Sequence, residues 1–200
     1  MNYGEVEIES HSICFQGFFR IEKFRLRHAL FDGGMSETMS RELFERGQAV
    51  AVLPYDPVQD RVVLIEQFRI GALNSPQGPW LTEIVAGMIA AGETPEAVAR
   101  REALEEADCV IGELLPICRF YPSPGGCSES IVLFCGQVDA RNVGGICGLA
   151  HEHEDIRVFT MKHAEAMVWI EDGRINSAAP IMALQWLALN KTKVKESWLR

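Results

Sequence analysis

The chain has 200 residues, 48% of them hydrophobic and 24% charged, and its 28 acidic against 19 basic side chains give a formal net charge of −9. That composition belongs to a folded domain of ordinary make-up and excludes a disordered or low-complexity chain, with length enough for a sizeable buried core. The acidic balance argues against a nucleic-acid coat, which needs clustered Lys and Arg, but leaves room for a local basic pocket or for carboxylates that hold cations.

Residues 1–15 are polar and acidic, with no basic segment leading into an apolar one, so no signal peptide is expected. Apolar runs such as 49–53 and 62–65 are strand-length, far short of the ~20 residues that span a bilayer, and no membrane association is expected. Six cysteines are scattered singly without a Cys-x-x-Cys pair, which reads as reduced thiols in a cytoplasmic protein. Over 24–30, Phe24, Leu26, His28 and Leu30 alternate with Arg25, Arg27 and Ala29, the period-2 pattern of a half-buried strand. Asp32-Gly33-Gly34 is a turn, and 35–41 reads as the returning strand, so the first 47 residues predict a small antiparallel sheet.

Residues 49–53 and 61–68 predict apolar strands joined by the turn signal Asp56-Pro57…Asp60, and 80–86 a further strand. Thr94-Pro95-Glu96 opens a helix that runs to about Ala107, with Thr as N-cap, Pro at the first helical position and an acid in the first turn. Strands follow at 131–138 and 156–160, then helices at 162–172, stopped by Gly173, and at 179–191. The order predicts a mixed α/β layered domain with a β appendage.

The informative stretch is 87–109. Glu102, Glu105 and Glu106 stand three and four apart on one helix face, with Ala97, Leu104 and Ala107 expected on the inward-packing opposite face. Like charges at that spacing oppose the helix by roughly 0.2–0.5 kcal/mol per pair. Two readings follow: a solvated acidic face offset by Arg100 and Arg101, or a site for a hard divalent cation. The spacing Gly87, Glu93, Arg101-Glu102, Glu105-Glu106 resembles the Nudix box, Gly-x5-Glu-x7-Arg-Glu-U-x-Glu-Glu-x-Gly-U with U apolar. Two positions depart from it. Asp108 stands where the box closes on glycine, and should hold the left-handed helix end at some cost; Ala103 is smaller than the usual aliphatic.

Further segments resemble the bacterial ADP-ribose pyrophosphatase branch of the Nudix family: Ser123-Pro124-Gly125-Gly126-Cys127-Ser128-Glu129 past the box, Phe18-Phe19, the stretches 44–47, 64–69 and 83–88, and Glu152-His153-Glu154-Asp155-Ile156-Arg157. The resemblance implies an α/β/α Nudix sandwich with a mixed sheet (48–200), preceded by an N-terminal β-sheet dimerisation domain (1–47). It implies hydrolysis of the ADP-ribose diphosphate to AMP and ribose 5-phosphate, with Mg²⁺ as cofactor and Mn²⁺ as a substitute, in a homodimer with shared active sites. By the same resemblance Glu102, Glu106, Glu154 and the Ala86 carbonyl hold metal, Glu105 is a further ligand or orienting group, and Glu152 is the general base. Arg41, Arg46 and Arg69 hold phosphates, Phe18 and Phe19 contact adenine, and Met88, Ser123, Pro124, Gly125 and Glu129 line the remainder.

Each assignment has a plainer rival. Glu93 and Arg101 read as a structural ion pair fixing the loop. Phe18 and Phe19 are equally readable as sheet core, and Phe24, Phe31, Phe44 and Trp80 as core or interface. Arg25 and Arg27 decorate an outer strand face. His151 and His153 alternate with acids but lack the four-ligand set of a zinc site, and Ser128 has no GxSxG context for a nucleophile. Two other functions fit the same box. One is hydrolysis of another nucleoside diphosphate sugar such as GDP-mannose; the other is a Nudix domain that only senses ADP-ribose, which predicts damaged box glutamates and an attached DNA-binding segment.

Overall fold

The computed structural model describes residues 4–199, which form two compact units. The first unit comprises the chain up to Gln48 together with Tyr121–Ser130. Three antiparallel strands, β1 (Val6–Gln16), β2 (Arg20–His28) and β3 (Met39–Glu45), lie in the order β1-β2-β3. Every residue of β1 is exposed. It carries no one-sided apolar period, which is why the sequence pattern does not announce it. Across the β1–β2 pair Arg27 meets Glu7 at 2.6 Å and Arg25 meets Glu9 at 3.6 Å, so both arginines decorate the sheet surface. Glu22 is the buried charge of this sheet, held between His11 (3.0 Å) and Arg20 (2.5 Å), and His11 in turn stacks on Phe24 at 4.4 Å.

The returning strand begins later than expected, at Met39 instead of residue 35. Met35 makes only an isolated bridge to Ala29, and at Ser36 the N–H donates to the His28 carbonyl (2.8 Å) while the hydroxyl, in place of a backbone carbonyl, accepts the His28 N–H (3.1 Å). Gly33 and Gly34, at φ +99° and +79°, make the turn. The segment Tyr121–Ser130 joins this unit through Phe44 N–H to Gly126 O (2.8 Å) and Ser128 N–H to Phe44 O (3.0 Å), a parallel bridge at Cys127.

The second unit is an α/β sandwich. Its eight-stranded sheet has the path β10 (Gly145–Cys147), β11 (Ile156–Lys162), β5 (Arg61–Phe68), β4 (Gln48–Asp56), β9 (Ser130–Gln137), β8 (Leu114–Phe120), with β6 (Trp80–Glu83) paired to β5 and β7 (Val85–Met88) to β4. Alternation along β4 and β5 splits the core in two. Val50, Val52, Val63 and Ile65 pack with Val98, Ala99, Ala103 and Ala107 of helix α1 (Pro95–Ala107). Ala51, Leu53, Val62 and Leu64 pack instead with α2 (His163–Glu171) and α3 (Ala178–Trp198) through Ala166, Ala183, Leu184 and Leu187. The sheet is therefore covered on both faces, the layered α/β/α order expected from the sequence.

Several expectations are corrected. The single strand over 80–86 is two, because β6 pairs with β5 and β7 with β4, and the chain changes partner at the buried Ile84. β8 and β10 were unforeseen: Pro116 interrupts the β8 ladder at a register shift, and β10 is three residues long. Helix α3 extends to Trp198, past residue 191. Of the aromatics expected in core or interface, Phe31 and Trp80 are exposed and lie outside both cores, which leaves the interface half of that expectation. All six cysteines are free, and no helix among the described residues is long and apolar enough to cross a membrane.

Candidate active site

Helix α1 starts and stops as its sequence dictates. The Thr94 hydroxyl accepts the Ala97 N–H at 3.3 Å, Pro95 occupies the first turn, and Asp108 at φ 49°, ψ 37° adopts the left-handed cap that glycine usually fills. Its N–H reaches Leu104 O (3.1 Å), and the next N–H, of Cys109, reaches Ala103 O (2.9 Å).

The faces of α1 depart from the amphipathic expectation at Ala97, Leu104 and Glu106, while Ala107 packs inward as expected. Ala97 is exposed and Leu104 is 54% exposed, whereas Val98, Ala99, Ala103, Glu106 and Ala107 are buried. The small Ala99-Ala103-Ala107 stripe and Gly87 explain the departure: a Cβ at Gly87 would overlap the Glu102 carboxyl, so its absence lets the glutamate-bearing face close against β7. Glu106 is 3% exposed, and its Oε2 accepts the Ala86 N–H at 3.0 Å. Burial pushes its carboxyl up to about 8; the Ala86 bond works against this, and Glu102 and Glu154 add to it. Glu102 is pushed up to about 7, again chiefly by burial, with Arg101 opposing and Glu105 and Glu154 reinforcing.

Arg101 supplies the local counter-charge. Its guanidinium lies 3.0 Å from Glu102, 2.9 Å from Glu105 and 3.7 Å from Glu93, while Glu93 accepts the Ala90 N–H at 2.9 Å and so closes the loop before the helix. Residues 148–154 are tied to the same helix by Gly148 N–H to Glu105 O at 3.3 Å. This loop contains a 3₁₀ turn over Ala150–Glu152 and a left-handed His153 at φ 59°. Glu152 consequently stands in solvent, with His151 at 3.6 Å, and Glu154 folds back so that its Oε2 accepts the Leu149 N–H at 3.0 Å. Gly148, at φ +101°, leaves space that a side chain would take from the Glu154 Cβ.

At the end of β5, Arg69 Nε donates to Glu83 Oε2 at 2.8 Å, and its charge draws the Glu106 carboxyl downward. Sequence reasoning missed Glu83, because its encounter with Arg69 depends on the β5–β6 register. Met88 ends β7 half exposed.

Within the first unit Arg46 is the centre of a second constellation. Its guanidinium lies over Phe19 (4.8 Å) and Phe44 (5.7 Å), and its Nε donates to Glu129 Oε1 at 3.0 Å. Phe18, set edge-on to Phe19 at 4.8 Å, is 93% exposed and is not sheet core. Ser128 is structural: its hydroxyl accepts the Arg46 backbone N–H (2.9 Å) and donates to Glu45 (2.9 Å). The Ser123 carbonyl accepts the N–H groups of Gly126 and Cys127, leaving Pro124 and Gly125 exposed at the tip of the turn. Arg41, exposed and bonded only to the Ser40 carbonyl (2.9 Å), sits opposite Phe24 in the ladder, outside the Arg46 group.

The donor set around α1 suits a hard divalent cation, since Glu102, Glu105, Glu106, Glu154 and the Ala86 carbonyl offer only oxygen. Glu102 and Glu106 are raised chiefly by burial, with Arg101 opposing the rise at Glu102 and Arg69 at Glu106. Among the described residues no three His, Cys, Asp or Glu side chains stand together as a ready-made ligand group; the carboxylates rest on Arg101 and on backbone N–H groups instead. The zinc reading of His151 and His153 gains no partner set.

The NUDIX domain profile matches residues 45–182. The chain belongs to the NUDIX family. It is 49% identical over 194 residues to a protein of Escherichia coli named ADP-ribose pyrophosphatase, covering 97% of this chain and 93% of that one. A protein of the same name from Haemophilus influenzae is 43% identical over 199 residues, covering 98% and 92%. A crystal structure described as an ADP compounds hydrolase shares the fold at TM-score 0.71, with 20% identity, covering 96% and 97%. The 87–109 stretch lies within the matched residues.

Proposed function

We propose that this protein hydrolyses the diphosphate of ADP-ribose to AMP and ribose 5-phosphate, in the cytoplasm, with Mg²⁺ as its ion and Mn²⁺ as a substitute. The observation that carries the reading is the pair of inward-facing box carboxylates on α1: Glu106, buried and accepting the Ala86 N–H at 3.0 Å, and Glu102, packed where Gly87 has no side chain. The relatives named ADP-ribose pyrophosphatase support the choice of substrate.

Glu102, Glu106, Glu154 and the Ala86 carbonyl would hold the ion, with Glu105 orienting them. When bound, the cation supplies charge neutralisation on the phosphates and a more acidic water. Arg101 gives up Glu102 on that occasion and keeps Glu93 and Glu105. Glu152, free in solvent, accepts the proton of the attacking water. Arg69 holds the diphosphate, and guanidinium geometry suits phosphate oxygens. Arg41 and Arg46 serve the phosphates as well, Phe18 and Phe19 offer ring faces to adenine, and Met88, Ser123, Pro124, Gly125 and Glu129 complete the lining. Residues 1–47 act as a dimerisation domain on a hydrolase domain of 48–200, in a homodimer with shared active sites. The exposed β1 edge supports this arrangement.

The test is a substrate panel after chelator treatment, with Mg²⁺ or Mn²⁺ added back and products separated by chromatography. AMP and ribose 5-phosphate from ADP-ribose, with slower turnover of GDP-mannose, are expected. Preferential GDP-mannose turnover, or ADP-ribose binding without hydrolysis, overturns the reading.

A further inference from the structure

Gln67 is 7% exposed, and its amide nitrogen is enclosed with no hydrogen-bond partner. Buried polar groups rarely stay unpaired, so a donor left idle in one state of a protein asks which state uses it. Its place on the sheet narrows the answer. Val63 and Ile65 of β5 face α1, whereas Val62 and Leu64 face the other helical layer. By strand alternation Gln67 and Arg69 continue the α1 face. In the ladder Gln67 is opposite Leu81 and Ile65 is opposite Glu83, which makes Gln67 and Glu83 diagonal neighbours on one face, within reach of long side chains. The Glu83 side chain is 16% exposed, and its partner is Arg69, through Nε at 2.8 Å.

Turning Arg69 toward a phosphate would leave Glu83 a largely buried carboxylate without its cation, a costly condition. We propose that Gln67 is a positioning residue whose amide takes over the Glu83 carboxylate when Arg69 turns its guanidinium to the substrate diphosphate. The inference rests on Arg69 being the diphosphate ligand of the proposed function, and it concerns how that arginine is released. A carboxylate with two alternative donors, one cationic and one neutral, makes the arginine transferable at small cost. The amide gains the acceptor it otherwise lacks.

The probe is ADP, titrated calorimetrically into the whole protein with Mg²⁺, so no turnover is needed. Gln67→Met, of similar length without a donor, is expected to bind ADP about tenfold more weakly, the worth of one charge-assisted hydrogen bond. Its KM for ADP-ribose rises by the same factor with kcat within about twofold of the parent. The loss disappears in an Arg69→Ala background, where there is no arginine to release, and in a Glu83→Gln background, where there is no carboxylate to hand over. Should Gln67→Met fail to fold, Gln67→Asn, which keeps the donor but shortens its reach, gives the same pattern. Parent-like ADP affinity in the single variant, or an equal loss in the Glu83→Gln background, overturns the proposal. Dependence of ADP affinity on Gln67 in a protein that does not hydrolyse ADP-ribose would refute the substrate and support this inference.

Discussion

The backbone N–H of Ala86 donates to Oε2 of Glu106 at 3.0 Å, so the strand residue whose carbonyl would meet a cation also steers the carboxylate that would share it. Glu106→Gln keeps the shape but weakens the oxygen donor. We expect the Mg²⁺ concentration for half-maximal activity to rise about 10- to 100-fold, together with a fall in turnover. A metal titration of the rate checks both.

The raised carboxyls of Glu102 and Glu106 also set the pH dependence of stability. Each is protonated more readily folded than unfolded. Their contribution is therefore fully present below the unfolded value near 4.5 and is lost as pH rises through about 7 and about 8. In chelator, Tm should fall between about pH 4.5 and 8; added Mg²⁺ should flatten that decline, because the cation favours the charged forms. Thermal melts across this range with and without the ion decide the matter.

On the loop after β10, Glu152 is exposed and Glu154 is folded back on Leu149. Glu152→Gln should lower kcat by about 10² to 10⁴, as loss of a general base does, with little change in KM or Mg²⁺ requirement. Glu154→Gln should raise the Mg²⁺ requirement instead. Rates at saturating and limiting Mg²⁺ separate the two roles, and retention of more than about a third of the parent kcat by Glu152→Gln would remove it as the base.

The packing of α1 makes a stability contrast. Leu104→Gln, on the exposed side, should change unfolding free energy by no more than about 0.5 kcal/mol. Ala103→Leu, which introduces the larger aliphatic of the family pattern into a fully buried site, should cost about 1–3 kcal/mol by overpacking. Urea melts of the two variants test it.

Asp60 closes the β4–β5 turn in a left-handed conformation at φ 55° and binds Tyr55 OH (2.7 Å) and Lys191 (3.0 Å). Burial alone would raise its carboxyl, but the Tyr55 hydroxyl and Lys191 bring it down to about 2. Its stabilisation is thus present above the unfolded value of 3.8 and fades as pH falls through about 2. Asp60→Asn, which tolerates the same backbone, should lose about 1–2 kcal/mol at pH 7 and flatten the acid limb between pH 4 and 2, measured by urea melts at both ends.

What could be read in advance was local. The α1 boundaries follow from Thr94, Pro95 and Asp108, neighbours in sequence whose cap chemistry needs no distant partner. β5 was legible at 61–68 because it is apolar on both faces. β1 was not, since it is exposed throughout and has no period to detect. The face of α1 misled for a physical reason: amphipathic logic sends carboxylates outward and Leu104 inward, whereas Gly87 and the alanine stripe let the helix press its glutamates against β7. The Arg69–Glu83 pair and the idle amide of Gln67 belong to the β5–β6 register, which no local signal encodes. The box spacing located the acidic edge and paired Arg101 with Glu93, and in the structure Arg101 reaches Glu102 and Glu105 as well.

Because Tyr121–Ser130 belongs with the N-terminal unit, that unit cannot be complete when its three strands leave the ribosome. Residues 49–120 must be translated first, roughly 4–14 s at typical bacterial elongation rates. Throughout that delay Phe44 lacks the backbone partners at Gly126 and Ser128, and Arg46 lacks Glu129. A fragment ending at Gln48 would keep Phe44 and Arg46 without these partners permanently.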